Sequence, residues 1–330
     1  MKGRVLYLDV LRIIACLMVL MMHAPMPGEL ASHHGPFLGS TTYLVSPCVP
    51  IFFMVSGALL LPMGANFTAV QFLRKRLKHV VIPTLIFTLL YIALSYNDLG
   101  GGGVLKSILS IPFSWQGAGP LWFMYPLIGL YLLTPIISPW IRTASKQTLQ
   151  LYLLIWSITL LYPILSSFLD INESPKGILY YFSGFAGFFL LGYYMNKYPV
   201  SLKWLVPLAL LMPLCYLVLK YLDLKPSIDK MYLNLPVALM TAAWFGVVKY
   251  LCRKSKNESP RIILLSKLTF GVYLIHHLTM RVWIWKWPII EQMTNYYLQT
   301  FAVFTLSTVI SFFAVWLISK LPFSKYIVGA

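Results

Sequence analysis

The chain has 330 residues, of which 59% are hydrophobic and 11% are charged, and its mean hydropathy is +0.75. Soluble domains carry roughly 25% charged residues, so this composition excludes a soluble enzyme, a disordered protein and a small secreted disulfide scaffold. Lysine and arginine number 26 against 9 aspartate and glutamate, for a net charge of +17. On so apolar a chain, this excess argues against a nucleic-acid-binding protein. It indicates an integral membrane protein with basic residues on the cytoplasmic side.

Apolar stretches that could cross a bilayer recur along the whole chain. A spanning helix needs about 20 predominantly apolar residues. The ten segments of about this length are 5–25, 43–63, 80–96, 120–140, 148–169, 177–196, 203–222, 232–251, 262–284 and 298–319. The sequence therefore predicts an all-α integral membrane protein, a bundle of about ten transmembrane helices in which residues 1–330 form a single domain.

The first span has the basic start and apolar run of a signal peptide. It also contains Asp9 and Arg12, and no small-residue cleavage site follows it, so we expect a retained helix. With the N-terminus inside, the inner loops hold 18 lysines and arginines and the outer loops hold seven. The positive-inside rule therefore predicts that both termini are cytoplasmic.

The four cysteines are predicted to be packing residues. They lie in or beside apolar runs and lack the spacing of metal ligands, so the sequence predicts no metal site. They are Cys16, Cys48, Cys215 and Cys252.

Two charged residues and a histidine lie in the first span, where charge is costly and marks functional candidates. Asp9 and Arg12 are three residues apart and can pair on one helix face. His23 follows Arg12 by eleven residues, which at about 100° per residue is about 20° from three full turns. Arg12 and His23 therefore share a face, roughly 16.5 Å apart along the axis. The alternative is a structural ion pair with an interfacial histidine.

A basic run, Arg74-Lys75-Arg76-Leu77-Lys78-His79, precedes the third span. It suits either an anchor to anionic lipid or a cytoplasmic site for a polyphosphorylated ligand. No Walker-type or GxGxxG loop accompanies it, so a nucleotide-hydrolysing pump is unsupported.

Three other positions have both a structural and a functional interpretation. Ser56 beside Gly57 is typical of close helix packing. Trp122 at the start of the fourth span is typical of an interfacial anchor. His276 either lines a cavity or lies at the outer interface.

Six motifs follow one another along the chain. They are Tyr7-Leu8-Asp9-x-x-Arg12 with His23, Phe52-Phe53-Met54-Val55-Ser56-Gly57, Phe72-Leu73-Arg74-Lys75-Arg76-Leu77 with Ile82-Pro83, Leu121-Trp122-Phe123 with Tyr131 and Pro135, Phe188-Phe189-Leu190-Leu191-Gly192-Tyr193, and Gly271-Val272-Tyr273-Leu274-Ile275-His276. In this order, they resemble the acyltransferase 3 family of membrane acyltransferases, whose R-x10-H signature Arg12 and His23 match, and most closely its stand-alone bacterial surface-polysaccharide O-acetyltransferases. One departure is Val49-Pro50-Ile51, because many members carry an aspartate shortly before the Phe-Phe pair.

The resemblance implies a multi-pass O-acyltransferase of the bacterial inner membrane. It would move an acyl group, by default acetyl, from cytoplasmic acetyl-CoA to a hydroxyl of a cell-surface glycan or its lipid-linked precursor. The expected partners are acyl-CoA, this acceptor and membrane lipid, with no nucleic acid and no metal. His23 would be the general base and Asp9 would orient Arg12. The donor would be held by Arg12, Arg74, Arg76 and Lys78, and contacts to the acceptor or oxyanion would come from Ser56, Trp122 and His276.

Two other classes of protein fit the composition. A transporter or flippase for a lipid-linked sugar would also have many spans and intramembrane charges, but we find no repeat with paired broken helices. A membrane sensor would need a sizeable soluble module, which no stretch between the spans provides. The sequence leaves open the acceptor, the acyl group, direct transfer against an acyl-enzyme, and the oligomeric state.

Overall fold

The computed structural model describes residues 4–25, 42–64, 68–114, 116–168, 182–221, 232–255 and 259–329. Every regular element within these ranges is helical. Two π-helical turns, Leu77–Val81 and Thr279–Trp283, and two 3₁₀ segments, Gln116–Leu121 and Ile284–Lys286, interrupt the α-helices. The α-helices are α1 Leu6–His23, α2 Cys48–Leu60, α3 Ala69–Arg76, α4 Ile82–Leu94, α5 Tyr96–Ser110, α6 Met124–Thr143, α7 Lys146–Thr159, α8 Tyr162–Phe168, α9 Ala186–Lys197, α10 Leu202–Tyr221, α11 Leu235–Cys252, α12 Pro260–Leu278, α13 Pro288–Glu291, α14 Tyr296–Ile318 and α15 Ser324–Ile327.

Eight helical stretches in the described part of the chain are long and apolar enough to cross a membrane. They confirm the all-α integral membrane class and correspond to eight of the ten predicted spans. They are Leu6–His23, Thr42–Leu60, Ala69–Leu94, Gly119–Thr143, Lys146–Leu165, Leu235–Cys252, Pro260–Lys286 and Tyr296–Ile318.

The other two predicted spans, 177–196 and 203–222, lie partly outside the described residues. Within the first, α9 covers only 12 residues. Within the second, the apolar part of α10 extends over Leu202–Cys215. The count of ten spans and the cytoplasmic placement of both termini therefore stay predictions.

The chain folds into two compact units, each formed by two separate segments. Unit 1 comprises Met1–Pro62 and Ser138–Ser266, and unit 2 comprises Met63–Ile137 and Lys267–Ala330. Compactness does not decide whether the units fold separately, so the single domain over 1–330 stays a prediction.

Unit 1 is built around the packing of α2 against α9. α1 packs on α2 and α11, and α10 packs on α11. A Cβ added to Gly57 would lie 1.8 Å from the carbonyl oxygen of Phe189, and one added to Gly192 would lie 1.9 Å from that of Met54. The two backbones therefore touch through glycine from both sides, which confirms the packing interpretation of the Ser56-Gly57 pair.

Unit 2 is organised around α4 and the two π-helical turns. α4 packs against the 3₁₀ segment Gln116–Leu121 and against the C-terminal α15. α15 also packs on the turn Leu77–Val81, and α14 packs on the turn Thr279–Trp283. One π turn contains the end of the basic run and the other follows His276, and π turns occur frequently at functional sites.

Candidate functional site

Helix α1 runs without interruption from Leu6 to His23. It therefore carries Asp9, Arg12 and His23 on one rigid element, as the spacing argument requires. Arg12 and His23 are both half-buried, and Asp9 is only 4% exposed. Helix geometry sets Arg12 and His23 on one face, roughly 16.5 Å apart along the axis.

The buried carboxylate of Asp9 is held by Arg4 and Ser266, both in unit 1. Arg4 Nε and Nη2 donate to Oδ2 and Oδ1 at 2.6 and 2.9 Å, and the Ser266 hydroxyl donates to Oδ1 at 2.6 Å. Arg4 Nη2 also donates to the Ile263 carbonyl at 3.4 Å. The structure thus gives Asp9 a bidentate partner that helical spacing did not predict, and the role of Asp9 in orienting Arg12 stays a prediction.

Arg4→Gln is expected to destabilise the protein, because it leaves the Asp9 carboxylate buried without its cation. Arg4 is 31% exposed, so we expect a loss of about 1–3 kcal/mol rather than the full cost of an isolated buried charge. Thermal unfolding of the detergent-purified variant measures it. Lys254→Gln, at an exposed lysine, is the matched control. The double variant Arg4→Gln/Asp9→Asn should recover most of the loss, and an Arg4→Gln melting curve equal to the wild type would contradict the assignment.

A second polar network fixes the N-terminal end of α1. Lys249 Nζ donates to the carbonyls of Met195 and Asn196 at 2.6 and 2.9 Å, at the C-terminal end of α9. The Tyr7 hydroxyl donates to Asn196 Oδ1, and Asn196 Nδ2 donates to the Ala58 carbonyl. This network therefore joins α1, the helix that carries Arg12, to α2, α9 and α11.

The C-terminal end of α1 is held through Met22, the residue before His23. The Tyr232 hydroxyl donates to the Met22 sulfur at 3.0 Å. Burial raises the pKa of the Tyr232 hydroxyl, so this group stays a donor at physiological pH. Sequence reasoning missed Tyr232, which lies more than 200 residues from its partner and belongs to no motif.

In unit 2, the basic run begins on α3 and continues into the π turn Leu77–Val81. A capping box between Thr68 and Gln71 starts the helix, which ends at Arg76 where the π turn begins. Arg74 and Lys78 are exposed, whereas Arg76 is half-buried.

The guanidinium of Arg76 is oriented by two aromatic rings. It lies 5.5 Å from the ring centre of Phe72 and 5.8 Å from that of Tyr131. Its Nε is buried and has no hydrogen-bond partner among the described residues. Arg76 is therefore a fixed cation with a donor still available to an anion.

The acceptor and oxyanion candidates differ in what they can donate. Ser56 and Trp122 are half-buried, whereas His276 is fully buried. His276 Nδ1 lies 2.6 Å from the Tyr273 carbonyl, which can only accept, so Nδ1 carries the proton and neutral His276 offers a lone pair at Nε2. An indole N–H can only donate. Of these side chains, Trp122 therefore suits an oxyanion best.

The candidates fall into two groups. Unit 1 contains Asp9, Arg12, His23 and Ser56, and unit 2 contains Arg74, Arg76, Lys78, Trp122 and His276. A sequence model of the acyltransferase 3 family, described as an acyltransferase domain, matches residues 5–320, so both groups lie inside it.

The chain belongs to the acyltransferase 3 family. No curated protein and no solved structure is significantly similar to it. With eight candidate spans in the part of the chain that the structure describes, it is a multi-pass membrane acyltransferase.

This acyltransferase contains structural partners that its sequence did not reveal. Arg4 and Lys249 are two of the 18 basic residues predicted to lie on the inner side, and each also makes specific, part-buried contacts. The only local signal was the position of Asp9 in the first turn of α1, where a carboxylate favours the helix N-terminus.

Proposed function

We propose that this acyltransferase transfers an acetyl group from cytoplasmic acetyl-CoA to a hydroxyl of a cell-surface glycan or its lipid-linked precursor, at the bacterial inner membrane. The observation that carries the proposal is the unbroken helix α1, which presents Arg12 and His23 on one face in a member of an acyltransferase family. A guanidinium at that depth is costly unless it faces a polar path or an anionic ligand. The separation of roughly 16.5 Å suits an extended pantetheine arm between them.

His23 is the proposed general base. A neutral imidazole has a basic nitrogen that can accept a proton from a hydroxyl group. His23 accepts the proton of the acceptor hydroxyl while the hydroxyl oxygen attacks the carbonyl carbon of the thioester. The C–S bond then breaks, and the CoA thiolate leaves with the proton from His23. The products are the acetyl ester and free CoA.

Trp122 is the proposed oxyanion donor. Negative charge develops on the carbonyl oxygen during attack, and a donor already aimed at it stabilises the transition state. The indole N–H of Trp122 can only donate, which suits this role. Ser56 is a proposed contact to the acceptor, because its hydroxyl lies half-buried beside the interface of α2 with α9. His276 is better suited to support Trp122 within unit 2 than to donate to the oxyanion.

Arg76, with Arg74 and Lys78, is proposed to hold the phosphates of the donor. Arg76→Gln is expected to weaken CoA binding by about 10- to 100-fold, the range for loss of a charge-assisted hydrogen bond. Isothermal titration of the detergent-purified protein with CoA measures it. Lys75→Gln removes the same charge from an exposed neighbour and is the matched control. Equal CoA affinity in Arg76→Gln and Lys75→Gln would contradict the assignment.

The reaction itself is tested by thiol release. Purified protein in proteoliposomes is given acetyl-CoA and a panel of hexose and N-acetylhexosamine oligosaccharides, and free CoA and acetylated product are quantified. We expect both to appear in equal amounts and only with acceptor. Movement of a lipid-linked sugar across the bilayer without thiol release would instead establish the transporter alternative.

A further inference from the structure

Tyr273 of α12 is hydrogen-bonded to a backbone group that is distant in the chain. Tyr273 is 2% exposed, and its hydroxyl donates to the Pro120 carbonyl at 2.5 Å. Both residues lie in unit 2, and 153 positions separate them in the chain. A buried tyrosine hydroxyl needs a partner, so this bond fixes the 3₁₀ segment Gln116–Leu121 against α12.

The anchored segment leads directly into Trp122. Gly119, just before Pro120, has φ +54° and ψ −122°, a conformation that glycine adopts readily and other residues do not. On the other side of Trp122, the Phe123 ring meets the Tyr273 ring edge-on at 4.5 Å. Tyr273 therefore contacts the chain two residues before Trp122 and one residue after it.

Tyr273 is itself held by a chain of hydrogen bonds. His276 Nδ1 donates to the Tyr273 carbonyl at 2.6 Å, and the Thr279 hydroxyl donates to the His276 carbonyl at 2.7 Å. Thr279 also hydrogen-bonds to the Ser311 hydroxyl on α14 at 3.0 Å. Three of these residues are at most 2% exposed, and Thr279 is 6% exposed. The support of Tyr273 thus extends across α12 to α14.

We infer that Tyr273 is a positioning residue that sets the direction of the Trp122 indole at the start of α6. The inference rests on the proposed role of Trp122 as oxyanion donor. Such a donor is effective only when it is preorganised, and a misplacement of 1 Å can cost about 100-fold in rate. The Tyr273 hydroxyl supplies that order without touching the substrate.

Tyr273→Phe removes only the hydroxyl and keeps the ring contact with Phe123. We expect kcat for acetyl-CoA, measured as thiol release with the best oligosaccharide of the panel, to fall about tenfold, the effect of one hydrogen bond. The Kd for CoA should be unchanged. Tyr91→Phe is the matched control, since that buried hydroxyl donates to the Leu274 carbonyl at 3.3 Å on the same helix.

The orientation of Trp122 is measured without reference to activity by fluorine NMR of 5-fluorotryptophan-labelled protein. Trp122→Phe assigns the Trp122 resonance among the ten tryptophans. Tyr273→Phe should shift or broaden this resonance, as should the second variant Phe123→Leu, whereas Tyr91→Phe should not. An unmoved Trp122 resonance in folded Tyr273→Phe, or an unchanged kcat despite a moved resonance, overturns the inference. If the wild type shows no transfer at all, the proposed function fails while the spectrum still reports on positioning.

Discussion

Replacing Gly57 by alanine is expected to prevent the protein from reaching a stable fold. The new methyl group would lie 1.8 Å from the Phe189 carbonyl oxygen and 2.7 Å from its carbon. These are backbone atoms, so no side-chain rotation relieves the clash, and α2 and α9 must move apart. Membrane helices lack a strong hydrophobic drive to associate and depend on such close packing. We expect a cost of about 3 kcal/mol, at the upper end for overpacked cores.

A similar loss of stability is expected from a substitution on α9. Gly192→Ala would place its methyl group 1.9 Å from the Met54 carbonyl oxygen. The control is Gly129→Ala on α6, where a Cβ meets nothing within 4 Å. The melting temperature and monodispersity of the three variants in detergent are the measurements. If Gly57→Ala and Gly192→Ala have the same melting temperature as Gly129→Ala, the close approach of α2 to α9 is refuted.

The sequence predicted what depends on composition and on local spacing. Hydropathy identified the helical membrane class, the R-x10-H spacing placed Arg12 and His23 on one helix face, and the Ser56-Gly57 pair indicated a close helix contact. Each of these follows from neighbours within a few turns of one element. The structure confirms the membrane class, the unbroken helix and the close contact.

The contacts that the sequence could not provide join distant residues. Tyr273 reaches Pro120, and Lys249 caps α9, without any pattern that links the partners. The predicted pairing of Asp9 with Arg12 stays a prediction, and the structure adds Arg4, which precedes the helix and binds the carboxylate through two nitrogens. Helical spacing does not indicate a partner that lies before the helix begins.

The basic excess of the chain therefore has more than one physical role. The predicted orientation in the membrane would account for most of the basic residues assigned to the inner side. Individual members also have specific contacts: Arg4 neutralises a buried carboxylate, Lys249 satisfies helix-end carbonyls, and Arg76 lies against two aromatic rings. Net charge predicts topology, whereas these contacts decide which basic residues are costly to remove.

His23→Gln is expected to have the largest effect on catalysis. Glutamine keeps the side chain polar and of similar size but has no basic nitrogen, so the acceptor hydroxyl keeps its proton during attack. Loss of a general base lowers the rate by about 100- to 10,000-fold. CoA binding should be unchanged, because its phosphates are assigned to Arg74, Arg76 and Lys78. His277→Gln makes the same change at another half-buried histidine and should keep the wild-type rate.

The most direct test of the account is the rate of acetyl transfer by folded His23→Gln, measured together with its affinity for CoA. Thiol release and acetylated oligosaccharide are quantified in proteoliposomes, and titration with CoA is run on the same preparation. The account predicts a rate at least about 100-fold below the wild type with an unchanged Kd for CoA. Transfer at the wild-type rate by folded His23→Gln would contradict it.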